Sequence, residues 1–304
     1  MFKVLVVMSY EENNPWCKEI KAGIDSILSS TSDITYFYMD TKVHFDGGPK
    51  KAKEAYALFQ QIEPDGLITA DDNAQKLFVL PYIKGRFETP VMFCGVNAEA
   101  KQYGFPTPSV SGILERGHIR ESVALAKQLD SSIRSIAFLA KESPSGKALL
   151  QQVESESETY LAKTTFHLIN SVNDLQAIDE VLNEKSDAIY IDSLQGTKDL
   201  VGNPMSNKAM VKLLIDKYHK PIIGANQYHV EQGALCAVVK TGQEQGRTAA
   251  EMLQKAMQGT PVEEIPVAQN FRGKRVINVS AMEALNLNVK PIVLLGATLV
   301  KSNQ

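Results

Sequence analysis

Asp71-Asp72-Asn73 is the most polar stretch that directly follows an apolar run of the chain, residues 66–69. Adjacent carboxylates hold a metal ion when other oxygens converge on it, and they do acid–base work when a second group faces them. The sequence offers neither a further ligand at metal spacing nor a facing partner. The same residues can start a helix over 74–82, with Asp72 or Asn73 as its cap, and a capping residue can also touch a ligand. The five histidines, His44, His118, His167, His219 and His229, are scattered without ligand spacing. His167 lies in a strand pattern and reads as structural. His118 begins a helix and reads as a surface or hinge residue. Ser145-Gly146-Lys147-Ala148 matches the tail of a phosphate loop, but Lys141 stands where the first glycine belongs and Ala148 where a serine or threonine belongs. No Gly-x-Gly-x-x-Gly, His-Glu-x-x-His or Gly-x-Ser-x-Gly occurs. On these grounds no catalytic residue, metal site or cofactor is expected.

Polar residues nevertheless gather after most of the predicted strands. Ser9, Tyr10, Asn13 and Trp16 follow the first; Asp71, Asp72 and Asn73 the third; Gly95 and Asn97 the fourth. In the second half the corresponding groups are Ser143, Ser145 and Gly146, then Asp192, Ser193 and Gln195, then Asn226 and Gln227. Trp16 either packs under a sheet or forms an aromatic wall for a ring-bearing ligand. Backbone amides at the helix start near Ser145 and Gly146 suit a carboxylate. Six polar clusters without a nucleophile–base pair point to binding rather than turnover.

The elements that must position these groups come from short β-rich apolar runs at 3–8, 34–39, 66–69, 91–93, 136–140, 164–168, 188–191, 222–224 and 235–239. Amphipathic helical stretches lie between them, at 16–28, 50–61, 119–129, 146–162, 172–182, 207–218, 242–258 and 279–285. Strands alternating with helices imply an α/β fold with parallel sheets. A passage also recurs half a chain apart. Asp65 precedes a buried strand and Pro90 precedes the next; Asp187 and Pro221 stand in the same places later. Residues 3–9 and 135–141 open the two halves alike. The expectation is therefore two similar Rossmann-like lobes. One spans 1–112 plus about 241–272 and the other 113–240 plus about 273–304, with a ligand cleft between them. The boundary is placed near 110–114, after the Pro- and Gly-rich residues 104–108, with further crossovers near 239–242 and 271–276. Such a multi-crossover connection reads as a hinge.

Composition narrows the function. The chain has 304 residues, 44% hydrophobic and 22% charged, with a net charge of −3. Nucleic-acid binding has no electrostatic support, and no apolar run reaches the ~18 residues of a membrane span. A strand pattern begins directly after Phe2, without a secretory leader. Cys17, Cys94 and Cys236 read as small apolar fillers, with a Cys17–Cys94 bridge conceivable.

The chain resembles the family of ABC-transporter substrate-binding proteins that includes tryptophan- and tyrosine-binding members. The strongest match begins at Glu231-Gln232-Gly233-Ala234-Leu235. It continues through Gly242 to Gly246, Thr248 to Met252, Gly259-Thr260-Pro261, Ile265-Pro266-Val267, Asn278 and Ala284-Leu285-Asn286-Leu287. The resemblance implies a type I periplasmic binding protein fold and capture of a small molecule, an amino acid or a related polar or aromatic compound, by hinge closure. It further implies a permease partner, a monomer, no cofactor, and a place outside the cytoplasmic membrane, reached with a leader that this sequence does not contain. Residues 69–74 with 90–97 resemble a subgroup that also serves as sensor domains of signalling proteins, such as histidine kinases or cyclases, which is the alternative role. Amino-acid-binding members tend to carry Thr-Asp-Asn where this chain has Ser193-Leu194-Gln195, which implies an uncharged or anionic ligand.

Overall fold

Val4 to Met8 are completely buried because both faces of their sheet are covered, so the strand reads as an unbroken apolar run rather than an alternation. The computed structural model describes residues 1–302, which fall into two units. Unit 1, Met1–Arg116 with Lys240–Arg272, opens with β1 (Phe2–Met8), α1 (Pro15–Leu28), β2 (Ser32–Tyr38), α2 (Gly48–Ile62), β3 (Gly66–Ala70), α3 (Asp71–Ala74), β4 (Val91–Val96) and β5 (Val110–Leu114). Unit 2 begins at Gly117 and holds α4 (Ile119–Leu129), β6 (Ser135–Lys141), α5 (Pro144–Glu156), β7 (Lys163–Ile169), α6 (Val172–Ala177), α7 (Asp179–Glu184), β8 (Ala188–Ile191), α8 (Asn207–Tyr218), β9 (Ile222–Gly224), α9 (Gln227–Glu231) and β10 (Cys236–Val239). The chain returns to unit 1 for α10 (Gly242–Met257) and β11 (Ala268–Gln269). It then ends in unit 2 with β12 (Lys274–Asn278), α11 (Val279–Ala284), α12 (Pro291–Leu294) and β13 (Thr298–Val300).

Among the described residues, unit 1 has a parallel sheet ordered β11-β5-β4-β3-β1-β2. Unit 2 has the order β13-β12-β10-β9-β8-β6-β7, parallel except between β10 and β12. In unit 1, Val4, Val6 and Met8 of β1 face Ile20, Ile24, Ala249 and Leu253 of α1 and α10. Leu5 and Val7 face the other layer, with Ala52, Ala55 and Phe59 of α2. The period of two along the strand thus feeds two cores. In unit 2, Phe138 of β6 packs with Val123 of α4 and Val153 of α5, while Leu139 packs with Met210 and Leu214 of α8.

The recurring Asp and Pro have the same structural job in each unit. Asp65 accepts the amide of Lys3 at 2.7 Å, and Asp187 accepts those of Arg134 and Ser135 at 2.8 and 2.9 Å. Each carboxylate pins the start of its unit's first strand to the strand beside it. The Pro90 carbonyl accepts Leu67 N–H at 2.9 Å, and the Pro221 carbonyl accepts Ile189 N–H at 3.0 Å. Both prolines begin a strand where no ladder donor is needed.

The structure departs from the sequence reading in several places. Residues 110–114, read as a passage between lobes, are strand β5. The expected helix 74–82 is the four-residue α3, continued by a π-helical segment over Gln75–Ile83 with Pro81 inside it. The expected helix 146–162 ends at Glu156 and is followed by a 3₁₀ turn, Ser157–Tyr160, that closes on left-handed Leu161. The expected helix 172–182 is split at Ile178 into α6 and α7. His118 is buried at the start of α4, 3.4 Å from Glu121, and is not a surface residue. The three cysteines are buried free thiols, so Cys17 and Cys94 are not bridged.

Candidate functional site

The strand ends of unit 1 are held by side chains that reach across them. Ser9 is fully buried; its hydroxyl donates to Ala70 O at 2.6 Å and accepts from Ala74 N at 2.8 Å. It therefore supplies, from the end of β1, one of the acceptors that the start of α3 needs. Thr41 donates to Ser9 O at 2.6 Å and accepts from Asn73 Nδ2 at 3.0 Å. Asp72 accepts Asn97 N–H at 3.0 Å, Ala98 N–H at 3.3 Å and the Tyr103 hydroxyl, which ties α3 to the loop after β4. Ser9, Asp72 and Asn73 thus spend their polar groups on the framework.

Asp71 is different. Its φ is +67°, it is 2% exposed, and Trp16 Nε1 donates to Oδ1 at 2.9 Å while Oδ2 has no partner. Burial holds this carboxyl well above the usual range; the Trp16 N–H opposes the shift, and the charges of Glu115 and Asp72 add to it. Gly95, with φ +66°, lies so close that a Cβ there would stand 2.7 Å from Oδ1. The Cys17 thiol is pushed up to about 12, by burial and then by Asp71. The Tyr10 hydroxyl is raised by the same two causes, and Lys42 Nζ sits 4.8 Å from the Tyr10 ring centre. Asn97 donates to Gly95 O and Glu115 Oε2, both at 3.3 Å, and Lys240 pairs with Glu115. Asn13 is exposed beside Glu12 and Lys18, apart from this group.

Two supports were not found from the sequence. Gln245 of α10 is fully buried, accepts Gly95 N–H at 2.8 Å and donates to Leu114 O at 3.2 Å. Glu115 follows β5, which the sequence reading did not contain. The only available signal for either was a polar residue in an otherwise apolar or small-residue run.

In unit 2, Ser143 caps α5 by accepting Gly146 N–H at 3.1 Å, and its Oγ lies 2.9 Å from that of Ser145. Gly146 packs against Lys141 O. Asp192, Ser193 and Asn226 all act on Tyr228: Asn226 Nδ2 lies 3.3 Å from its hydroxyl, and the Asp192 charge adds to the burial that raises it, with Ser193 opposing the shift. Gln195 turns away to accept Asn207 N–H at 3.0 Å, while Asn207 accepts Leu194 N–H at 2.8 Å. Gln227 donates to Glu231 at 2.7 Å and accepts from Lys274 at 3.1 Å. Leu194 is a core residue, 1% exposed, packed with the α8 layer. Its side chain, packed in the core, is not a polar contact for a ligand.

His229, next to Tyr228, is completely buried with neither ring nitrogen hydrogen-bonded, and burial pulls its pKa down to about 4. An unfolded chain takes up that proton near pH ~6.5, so it binds more protons than the folded one below that point. Stability should fall as pH drops from about 6.5 to about 4, by up to ~3 kcal/mol from this group. Urea unfolding across this range, in wild type and His229→Gln, should show a steeper acid loss for wild type; parallel curves would contradict it.

Two α/β units with mainly parallel sheets, joined by a chain that passes between them three times, define the type I periplasmic binding protein fold. The chain belongs to the ABC transporter substrate binding protein family, whose profile matches residues 81–301. Among solved structures it is similar to the ligand-free, open form of a substrate binding protein with adhesive properties from Clostridium difficile. That likeness has a TM-score of 0.74 and 16% identity, and covers 100% of both chains. An ABC domain in complex with L-Trp from Streptococcus pneumonia gives a TM-score of 0.58 at 18% identity, covering 98% of this chain and 99% of that one. A conserved domain protein from Vibrio cholerae gives 0.56 at 20% identity, covering 99% of each. No curated protein matches the chain. Members of the family bind solutes, and no helix among the described residues is long and apolar enough to cross a membrane.

Proposed function

We propose that the chain captures a small polar or aromatic compound, such as an amino acid, outside the cytoplasmic membrane and delivers it unchanged to the permease of an ABC transporter. The strand-end groups of each unit are the candidate ligand contacts. Tyr10 and Trp16 supply aromatic surface, and Trp16 Nε1 donates to Asp71 Oδ1 at 2.9 Å. In unit 2, Asp192, Ser193, Asn226 and Tyr228 supply hydrogen bonds. The observation that carries the reading is the buried Asp71 Oδ2, an acceptor that the protein itself leaves unpaired at a strand end. Buried polar groups are normally satisfied, and exceptions concentrate at functional sites. Family membership supports both the solute and the permease.

The test is a thermal-shift screen of amino acids, amines, nucleosides, sugars and small carboxylates, on protein unfolded and refolded to strip any resident ligand. A compound that binds only the folded chain raises the melting temperature, by ~2.7 kcal/mol of added stability at a hundred times its dissociation constant. A rise confined to one chemical class is expected. A folded protein that responds to none of them contradicts the reading.

A further inference from the structure

The last stretch of unit 2 leaves aliphatic side chains uncovered in a basic setting. Residues 284–304 contain no aspartate or glutamate, while Lys290 and Lys301 lie within them, in a chain whose net charge is −3. This stretch builds α12 and β13. Val293 and Leu294 of α12 pack inward, against the core that holds Ile277. Ile292 and Leu295, three residues apart and turned the other way, are 70% and 71% exposed. β13 is an edge strand of its sheet among the described residues, and its register pairs Leu299 with Ile277, on the face against which α12 packs. Leu299 is nevertheless 49% exposed. Exposed aliphatic groups gathered in this way mark a surface that meets something.

The charges around them are uncompensated. Arg275 of β12 donates through its guanidinium to Val293 O and to Leu295 O, so it clamps α12 to the sheet while its partners stay neutral. Among the described residues, Arg275, Lys290 and Lys301 form no ion pair. A second copy seated two-fold on this face would bring like charges together, and the stretch offers no acidic residue to pair with them. Lysine is also depleted at protein–protein interfaces. An anionic lipid surface suits both features. Aliphatic side chains enter the boundary of the acyl chains, and long basic side chains reach up to the headgroups.

We propose that α12 and β13 form a peripheral docking surface for an anionic lipid bilayer. Ile292, Leu295 and Leu299 enter the interface; Lys290 and Lys301 meet the headgroups, with the charge of Arg275 behind them. The contact does not depend on solute: β12 and β10 separate β13 from β9, after which Asn226 stands. Three aliphatic groups and a few cations make a weak, reversible and salt-sensitive attachment.

Flotation of the purified protein with vesicles tests this. One set is phosphatidylcholine alone and the other contains about one third phosphatidylglycerol. The fraction bound to anionic vesicles should exceed that on neutral ones about fivefold or more at low salt, and the excess should vanish by about 0.5 M salt. Ile292→Ser with Leu295→Ser should lose most of the binding, and so should Lys290→Glu with Lys301→Glu. Val201→Ser, which alters an exposed aliphatic residue between β8 and α8, should bind as wild type does. Circular dichroism and melting temperature should be unchanged in all three. The lysine pair removes no apolar packing and decides the matter if the serine pair misfolds. Wild type that ignores anionic vesicles, equal binding to both sets, or full binding by the folded lysine variant overturns the proposal. Self-association in sedimentation velocity that the serine pair abolishes would assign the surface to a second copy and overturn it too.

Discussion

Gly246→Ala is expected to destabilise the protein by about 2–3 kcal/mol and to lower the melting temperature by roughly 5–10 °C. The reason lies in the crossing of α1 and α10. A Cβ at Gly246 would stand 2.1 Å from Ile20 O and 3.0 Å from Ile20 Cα; one at Gly23 would stand 2.3 Å from Gln243 O. These are backbone atoms and cannot swing aside. Alanine gains up to ~1 kcal/mol of helix propensity, so a net loss means that overpacking outweighs it. The consequence reaches the candidate site, since α1 carries Trp16 and α10 carries Gln245, the residues that hold Asp71 and Gly95. Gly47→Ala is the control: a Cβ there touches nothing within 4 Å, and its stability should change by no more than ~0.5 kcal/mol. Thermal and urea unfolding of the two variants decide the matter. Equal stability of Gly246→Ala and wild type would contradict the close crossing.

Asp71→Asn is expected to act in the opposite direction and to stabilise the unliganded protein at neutral pH. The folded pKa of Asp71 is raised above its unfolded value of 3.8, so the folded state holds the proton more tightly. The stability this group contributes is complete below that unfolded value and declines as pH rises toward the folded one. Asparagine has no proton to lose. It keeps an acceptor for Trp16 Nε1 and tolerates the left-handed φ of +67°. The gain should be present at about pH 7.5 and should shrink toward about pH 4. Urea midpoints at both values, with unchanged slopes, measure it. Asparagine less stable than wild type at both would mean that Asp71 is an ordinary structural carboxylate. Paired with lost ligand binding, the stability gain would be the signature of a residue kept for function at a cost to the fold.

These two residues also show what the sequence could and could not reveal. The buried strands were readable because parallel strands covered on both faces are continuous apolar runs, and the paired Asp65/Asp187 and Pro90/Pro221 marked the duplication. β5 was read as a passage because its five residues follow a Pro- and Gly-rich stretch and include Ser111 and Gly112. The closing strands β12 and β13 were lost because charged residues, Lys274 and Arg275, and a short three-residue run broke the pattern. The polar residues after the strands were legible as a set, but not their division of labour. Ser9 caps a helix that begins 62 residues later, Asp72 holds the loop of the next strand, and Gln245 reaches Gly95 across 150 residues. Local sequence carries no trace of such bonds. The unusual state of Asp71 arises only once Trp16, Gly95 and the sheet surround it.

The central claim is that this chain binds a small molecule reversibly and returns it unchanged. Calorimetric titration with the strongest compound of the thermal screen, followed by mass analysis of the recovered ligand, tests it most directly. The account predicts saturable binding to one site per chain, weakened at least about tenfold in Asp71→Asn, with the ligand recovered intact. A ligand returned chemically altered, or a compound that shifts the melting temperature without saturable binding, would contradict it.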